Sequence, residues 1–480
     1  MTIILQVDRY LNDLNLFFKK QKNFYLYFGS LMFNFINKKY LELFLYFILI
    51  VIYILNISVY NLKFQHDAQL YHYPIFDIIN FNFDELSTSS GLFYYFYVSI
   101  FSIFSYPFYK LQILDPRSSF YLMIKISNFV LYSFSFFYAL KVSKQIFKKD
   151  HFDYFFPVLF IFSFSSFHRS FMMVKPENLI ILCVLISFYF LNKLLKKNNF
   201  NKKNFITLFF LLFLIGTAKM NGFYYVLCFF IFLLIIYKNN FKIFKLSIYV
   251  FSFIFLYYFL HDKISNMSVY DRPYGIDEAR ELGEVGLFNL NKNLNIFLNF
   301  SITESWKFPF KYSHSDSMIN TLTLDLYGDY YGYGIFNHML GSEGIWSKKF
   351  ISSLIILNRT GLILSYIFLV LFFISTFYLI FNFKNILRES PLIVYFLGLF
   401  FSGILFLIFF TIFEYYGEKN TTYKWEYINF LTMGTGYIIS YFFLKKIKNI
   451  KLKYFNSFLI IIFVFFAQFQ LLQFRYLEIF

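Results

Sequence analysis

A succession of long apolar stretches with few or no charges constrains this chain more than any other feature. The first, Leu43–Leu62, runs for 20 residues between Glu42 and Lys63. An α-helix of about 20 residues is what it takes to cross ~30 Å of hydrocarbon. Comparable stretches follow at Ser118–Leu140, Tyr154–Met173, Asn178–Leu191, Phe205–Ala218, Gly222–Tyr237 and Leu246–Leu260. After a polar interval come Thr360–Phe383, Pro391–Phe413, Tyr427–Leu444 and Tyr454–Gln473. Lipid offers backbone groups no hydrogen-bond partner, so such spans have to be helices. The sequence therefore predicts an all-α polytopic transmembrane bundle of about 11 spans, the shorter ones extending into their polar flanks. Composition excludes the soluble alternative. Apolar residues make up 59% and charged residues 15%, where globular chains average roughly 45–50% and about 25%, and a soluble fold cannot bury that excess. The 79 Phe and 43 Tyr fit AT-rich codon usage, so single aromatics are discounted as functional signals.

Charge orients the bundle. The 44 Lys and Arg exceed the 27 acids by 17, which in a membrane chain reads as Lys-rich cytoplasmic loops rather than a nucleic-acid surface. If Gly91–Tyr109 does not cross, every Lys-dense segment falls on one side. These are the N-terminus, Lys141–Lys149, Lys193–Lys203, Lys238–Lys245, Lys384–Arg388 and Lys445–Lys453, which hold more than half of the basic residues. Of the 27 acids only Asp8, Asp13, Glu42, Asp150, Asp153 and Glu389 join them. A single crossing by Gly91–Tyr109 destroys that agreement, so an interfacial or re-entrant helix is expected there. The N-terminus has no small-residue cleavage site, and no cleavable signal peptide is expected. The expected organisation is a cytoplasmic amphipathic segment over 1–42 and a transmembrane module over 43–260 with a first external loop at 63–117. An extracytoplasmic subdomain over 261–359 and a final set of helices over 360–480 complete it. Cys183 and Cys228 lie in apolar runs and predict neither disulfide nor metal cluster.

The polar clusters gather on the extracytoplasmic side. His66-Asp67-Ala68-Gln69-Leu70-Tyr71 follows the first span, and a carboxylate beside apolar residues can have the raised basicity of a general base. His168-Arg169 and Lys175-Pro176-Glu177-Asn178 sit between two spans with little loop. Charges this close to hydrocarbon are costly unless paired or facing an aqueous cavity. Arg169 and Lys175 suit a phosphate; the plainer reading is a snorkelling hairpin tip in which Glu177 pairs with Lys175. Thr217-Ala218-Lys219-Met220-Asn221-Gly222 is another tight turn, with Lys219 at the outer interface. Lys424-Trp425-Glu426-Tyr427 heads a late span, and Asp325-Leu326-Tyr327-Gly328-Asp329 combines acids and rings suited to a sugar or to a surface turn. No phosphate-cradling glycine loop, zinc pattern or nucleophile elbow is present in the sequence.

In order and placement these clusters resemble the GT-C superfamily of polytopic glycosyltransferases, which use polyprenyl- or dolichyl-phosphate sugars. The resemblance rests on the acid after the first span (Asp67) and the juxtamembrane helix start Gly91-Leu92-Phe93-Tyr94-Tyr95. It extends to the basic–acidic group Arg169, Lys175, Pro176 and Glu177, the Lys219–Gly222 turn, and Lys424 with Tyr427. The chain departs from the family in having His66-Asp67 where an acidic pair is common, and Ser87-Thr88-Ser89-Ser90 where Pro is frequent. The resemblance implies an inverting transfer with Asp67 as base and Glu177 orienting the acceptor or a basic neighbour. Arg169, Lys175, Lys219 and Lys424 would hold the lipid phosphate, and His66, Tyr71, Asp325 and Asp329 would contact acceptor or sugar. The implied partners are a polyprenyl-phosphate-linked donor, a glycan, lipid or protein acceptor and membrane lipids, with no nucleic acid, metal or cofactor. The implied location is a bacterial inner membrane with the site on its extracytoplasmic face. Two alternatives remain on sequence grounds. One is a polysaccharide polymerase or ligase using Arg272, Arg280, His314 and His338. The other is a transporter or flippase, for which Lys125 and Asn128 in a span speak.

Overall fold

The computed structural model describes Pro74, Ile75, residues 77–82, 91–104, 116–147, 151–162, 174–197, 202–237, 241–264, 299–309, 317–327, 348–414 and 428–446, with isolated positions such as Tyr53, Phe164, Phe167, Ser170, Phe171 and His314. Among these residues the secondary structure is all helical. Most of Leu43–Leu62 and all of Tyr454–Gln473 lie outside the described residues, as does the segment 1–42.

The helices are α1 (Leu92–Ile103), α2 (Pro116–Ile146), α3 (His151–Ile161), α4 (Glu177–Lys197), α5 (Lys202–Ala218), α6 (Met220–Ile236) and α7 (Phe241–Ile264). They continue as α8 (Ile302–Lys307), α9 (Met318–Tyr327), α10 (Lys348–Phe381), α11 (Phe383–Glu389), α12 (Pro391–Glu414), α13 (Asn429–Thr432) and α14 (Gly434–Lys446). Five of them, α2, α4, α7, α10 and α12, are long and apolar enough to cross a membrane, and the chain is accordingly a membrane protein. Helix α4 is the most enclosed of the five and α7 the least. Helix α4 packs against α2, α5, α12 and α13, while α14 packs against α3, α10 and α12. The outward faces of the bundle carry exposed rings and aliphatics such as Phe134, Phe253, Phe377 and Leu405, as lipid contact requires.

Helix bounds follow local chemistry. The expected stretch Asn178–Leu191 gains Glu177 and a polar end to Lys197, giving 21 residues. Helix α10 begins at Lys348, so the boundary expected at residue 359 falls inside a helix. Arg359 on its flank donates from Nε to the Trp306 carbonyl at 2.8 Å and lies over that indole, tying α8 to α10. The expected span Tyr154–Met173 is not one continuous helix. Helix α3, with Pro157 inside it, ends at Ile161. Beyond it the N–H groups of Phe164 and Phe167 bond three residues back, to Ile161 and Phe164. Pro157 lacks an N–H for the helical ladder, which nevertheless runs on to the Phe162 N–H, donating to Val158 at 2.9 Å.

In lipid the drive to pack helices comes from close contact and polar links rather than from water exclusion. Tyrosine supplies many of the links here. The Tyr53, Tyr224, Tyr237, Tyr258 and Tyr437 hydroxyls donate to the carbonyls of Phe171, Ser402, Leu194, Gly216 and Ala139, at 2.7 to 3.1 Å. Each joins two elements distant in sequence, and each uses a spare lone pair of a backbone oxygen.

Helix α1 has 12 residues, about 18 Å at the α-helical rise, short of the ~30 Å needed to span. Its Tyr94 and Tyr97 hydroxyls reach neighbouring positions on α2, Asn128 and Ser127. The helix therefore crosses α2 near one level. Phe96, Ile100, Ile103 and Phe104 on its other side are exposed.

Candidate functional site

The alternation of α4, α5, α6 and α7 puts the start of α4, the end of α5 and the start of α6 at one end of the bundle. The Lys-bearing ends of α2 and α4 lie at the other with the end of α6, and there Asn192 of α4 donates to Gln145 of α2 at 3.0 Å and Tyr237 reaches Leu194. At the first end, three segments far apart in sequence meet.

The turn between α5 and α6 is a single residue. Lys219 adopts extended backbone (φ −166°, ψ 156°), which breaks one helix and opens the next. Its carbonyl accepts from Gly222 N–H at 2.8 Å. A Cβ on Gly222 would stand 2.0 Å from the Ile215 carbonyl oxygen, so a residue without a side chain is what lets the hairpin close.

Gly91 docks on this hairpin. Its N–H donates to the Ala218 carbonyl at 3.0 Å, supplying an acceptor at the end of α5 with the partner its own helix cannot give. The next N–H, of Leu92, donates to the Tyr257 hydroxyl at 2.7 Å. A Cβ at Gly91 would lie 1.5 Å from the Thr217 carbonyl oxygen.

The start of α4 completes the cluster. Val174, Lys175, Pro176, Glu177 and Asn178 are all buried. Pro176 precedes the first helical residue, where its missing N–H costs nothing, and its carbonyl accepts from Leu179 and Ile180. The Glu177 carboxylate stands in the first turn, where the helix dipole favours a negative charge. The Lys219 ammonium lies 2.6 Å from Glu177 Oε1. Glu177 is 1% exposed and the Lys219 side chain 21%, so the acid is sealed and the base reaches the surface. Glu177 Oε2 is buried and accepts no hydrogen bond from the described residues. Beside it, the Lys175 N–H donates to the Tyr94 hydroxyl at 3.0 Å, and that hydroxyl donates to Asn128 Oδ1 at 3.2 Å. Asn178 Nδ2 reaches the same oxygen at 3.3 Å. Burial foremost pushes the Tyr94 phenol well above its ordinary pKa, which keeps the donating proton in place.

Of the residues singled out in the sequence, the structure brings together Glu177 and Lys219, with Lys175 in the adjoining turn. It corrects the plainer reading of the hairpin tip: the ion-pair partner of Glu177 is Lys219, 42 residues away. Ser170 accepts from Asn429 Nδ2 at 3.0 Å, which links the chain next to Arg169 with α13. Asp325 is buried on α9, a helix packed on α8 and α10, away from the principal partners of α4. His314 is buried, and its ring nitrogen bonds the Phe308 carbonyl at 2.8 Å, a local structural tie. Asp67, His66, Tyr71, Arg169, Asp329 and Lys424 lie outside the described residues, as do Arg272, Arg280 and His338. Among the described residues no three His, Cys, Asp or Glu side chains form a metal-binding group.

Sequence reading missed Tyr94, Asn128 and Tyr257 as members of this cluster. Asn128 was legible as a polar residue inside a span; the tyrosines were hidden among 43 of their kind. Compared with known proteins, the chain matches no family model, and neither a curated protein nor a solved structure matches it.

Proposed function

We propose that this chain is a membrane glycosyltransferase that transfers a sugar from a polyprenyl-phosphate carrier to a hydroxyl acceptor. The observation that carries the reading is the buried Glu177–Lys219 pair at the head of α4. It is roofed by α1 through the Gly91–Ala218 bond and adjoined by Lys175. A sealed carboxylate that fixes a partly exposed ammonium is a means of holding a cation at a membrane interface, as a lipid phosphate requires. The same end of the bundle is opposite the Lys-rich segments, which the positive-inside rule assigns to the cytoplasm. The site would then face the extracytoplasmic side, and the same rule agrees with about 11 crossings in the whole chain.

In the proposed reaction Asp67 takes the proton of the acceptor hydroxyl, whose oxygen attacks the anomeric carbon. The carbon–oxygen bond to the phosphate breaks, and its electron pair leaves with the phosphate, so configuration inverts. Arg169, Lys175, Lys219 and Lys424 offset the negative charge that develops on the leaving group. Glu177, sealed beneath the surface, acts by holding its basic neighbour Lys219 in position.

Asp67→Asn tests the reading. The variant should insert and express like the parent yet fail to transfer sugar from a lipid-phosphate donor. Normal transfer by it removes Asp67 as the base. Unchanged surface glycans on deleting the whole chain would remove the activity itself.

A further inference from the structure

The opposite end of the bundle holds a second constellation that the reaction does not use. Lys141 on α2 and Lys193 on α4 converge on one ring, that of Tyr189, with Nζ atoms 5.7 and 4.2 Å from its centroid. The two ammonium groups therefore stand within about 10 Å of each other, inside the range over which charges interact at 0.1 M ionic strength. Neither is paired with a carboxylate among the described residues. Each also lies over a ring of its own helix: Lys141 over Phe137 at 4.2 Å and Lys193 over Phe190 at 5.6 Å. Tyr138 packs edge-on to Tyr189 between the two helices, and the Asn192–Gln145 bond fixes their level.

The surroundings identify the ligand. Phe134 and Phe137 on α2 are about half exposed (52% and 45%), and Lys141 continues their stripe at helical spacing. Lys193 is exposed on the neighbouring helix. Both stems fold back one turn along their helices, over the rings four residues earlier, and hold their ammonium groups on an outward face of the bundle a short way in from its Lys-bearing end. We propose that Lys141 and Lys193, with Tyr189 between them, bind the phosphodiester headgroup of an anionic phospholipid in the surrounding leaflet. A phosphate can accept a charge-assisted bond of about 2.8 Å from each ammonium, which relieves their mutual repulsion, while the acyl chains lie against Phe134 and Phe137. Basic pockets between transmembrane helices select anionic headgroups in this way.

Native mass spectrometry of the full chain, exchanged from detergent into phosphatidylcholine with or without phosphatidylglycerol, tests the site. The parent should retain phosphatidylglycerol in preference to phosphatidylcholine, and Lys141→Gln/Lys193→Gln should retain about thirtyfold less. Lys141→Arg/Lys193→Arg should keep the lipid, because charge and ring contact survive. Lys245→Gln should also keep it, because Lys245 lies over Tyr249 of its own helix. Equal retention by the Gln pair, loss in the Arg pair, or equal loss in Lys245→Gln would overturn the proposal. Displacement of the lipid by an equal concentration of inorganic phosphate would overturn the lipid as its source. None of these readouts depends on sugar transfer.

Discussion

The Lys219 ammonium lies 2.6 Å from Glu177 Oε1 across a hairpin, joining residues that begin two different helices. Both occupy element boundaries: Glu177 opens α4, and Lys219 is the single extended residue between α5 and α6. The pair thus locks the angle between three helices at one end of the bundle. Its burial is lopsided, and that asymmetry sets the first expectation.

Removing Lys219 strands an anion at a site with 1% exposure. Breaking a buried pair from one side costs about 3–5 kcal/mol, and Lys219→Met should lose stability on that scale. Glu177→Gln leaves a cation that is already partly exposed and still able to bond the amide oxygen, so a loss of about 1.5 kcal/mol is expected. Thermal unfolding of the purified chain in detergent reads both. The double variant should recover part of the Lys219→Met loss, because it removes the stranded charge. Equal losses in the two single variants would show that the asymmetry of burial is irrelevant.

Glycines offer a sharper contrast. A Cβ at Gly91 would overlap the Thr217 carbonyl at 1.5 Å, whereas one at Gly398 meets nothing within 4 Å. Gly91→Ala must push α1 off the hairpin and break the Gly91–Ala218 bond, at a cost of about 1–3 kcal/mol or more. Gly398→Ala, inside α12, should stabilise by up to about 1 kcal/mol through helix propensity. Melting temperatures should therefore move in opposite directions, and the proposed sugar transfer should fall with Gly91→Ala alone. A harmless Gly91→Ala would mean that α1 does not rest on the α5–α6 turn.

These comparisons show what could be read without the structure. Hydrophobic run length gave the helices, because lipid leaves the backbone no other choice. The gathering of Lys at one end of the bundle was legible too, since Lys193 and Lys203 fall at the same end as Lys242 and Lys245 once α4 to α7 alternate. Glu177, Lys175 and Lys219 stood out because charge is rare in such a chain. Their pairing did not. Lys175 is two residues from Glu177 and looked like its natural partner, but the one-residue turn between α5 and α6 brings Lys219 to that carboxylate instead. The break after Ile161 was equally hidden, because an apolar run has the same pattern whether or not it is continuous. Tyr94 illustrates the hardest case, since discounting aromatics as a codon habit also discounted the hydroxyls that connect the helices.

Those hydroxyls are not equivalent. Tyr94 accepts the N–H of Lys175, a group outside any helix, whereas Tyr437 bonds the Ala139 carbonyl, which lies within the helical ladder of α2. Tyr94→Phe leaves a buried N–H unsatisfied and should cost about 1–3 kcal/mol. Tyr437→Phe removes a second bond from an oxygen already served, and about 0.6 kcal/mol is expected. Tyr94 also sets a pH dependence. Its pKa is raised well above the ordinary 10 by burial, so above about pH 10 the unfolded chain releases this proton and the folded chain does not. Stability should fall on that alkaline side, and the fall should be shallower in Tyr94→Phe. Equal costs for the two substitutions, measured by unfolding at neutral pH, would remove the distinction between N–H and carbonyl partners.

The last expectation concerns α1, on which the orientation of the bundle turns. Its 12 residues reach about 18 Å, and its first N–H groups are held by Ala218 and Tyr257 at the end of α5 and on α7. The chain should therefore leave α1 on the side from which it entered. With Cys183 and Cys228 replaced by Ser, single cysteines can be placed at Asn80, Phe104 and Lys203, all exposed positions. A membrane-impermeant maleimide applied to intact cells should label Asn80→Cys and Phe104→Cys alike. Lys203→Cys, at the Lys-rich start of α5, should react only after permeabilisation. If Phe104→Cys instead behaves like Lys203→Cys, α1 crosses, the Lys-dense segments divide between two faces, and the Glu177–Lys219 pair can no longer be assigned to the extracytoplasmic side by charge.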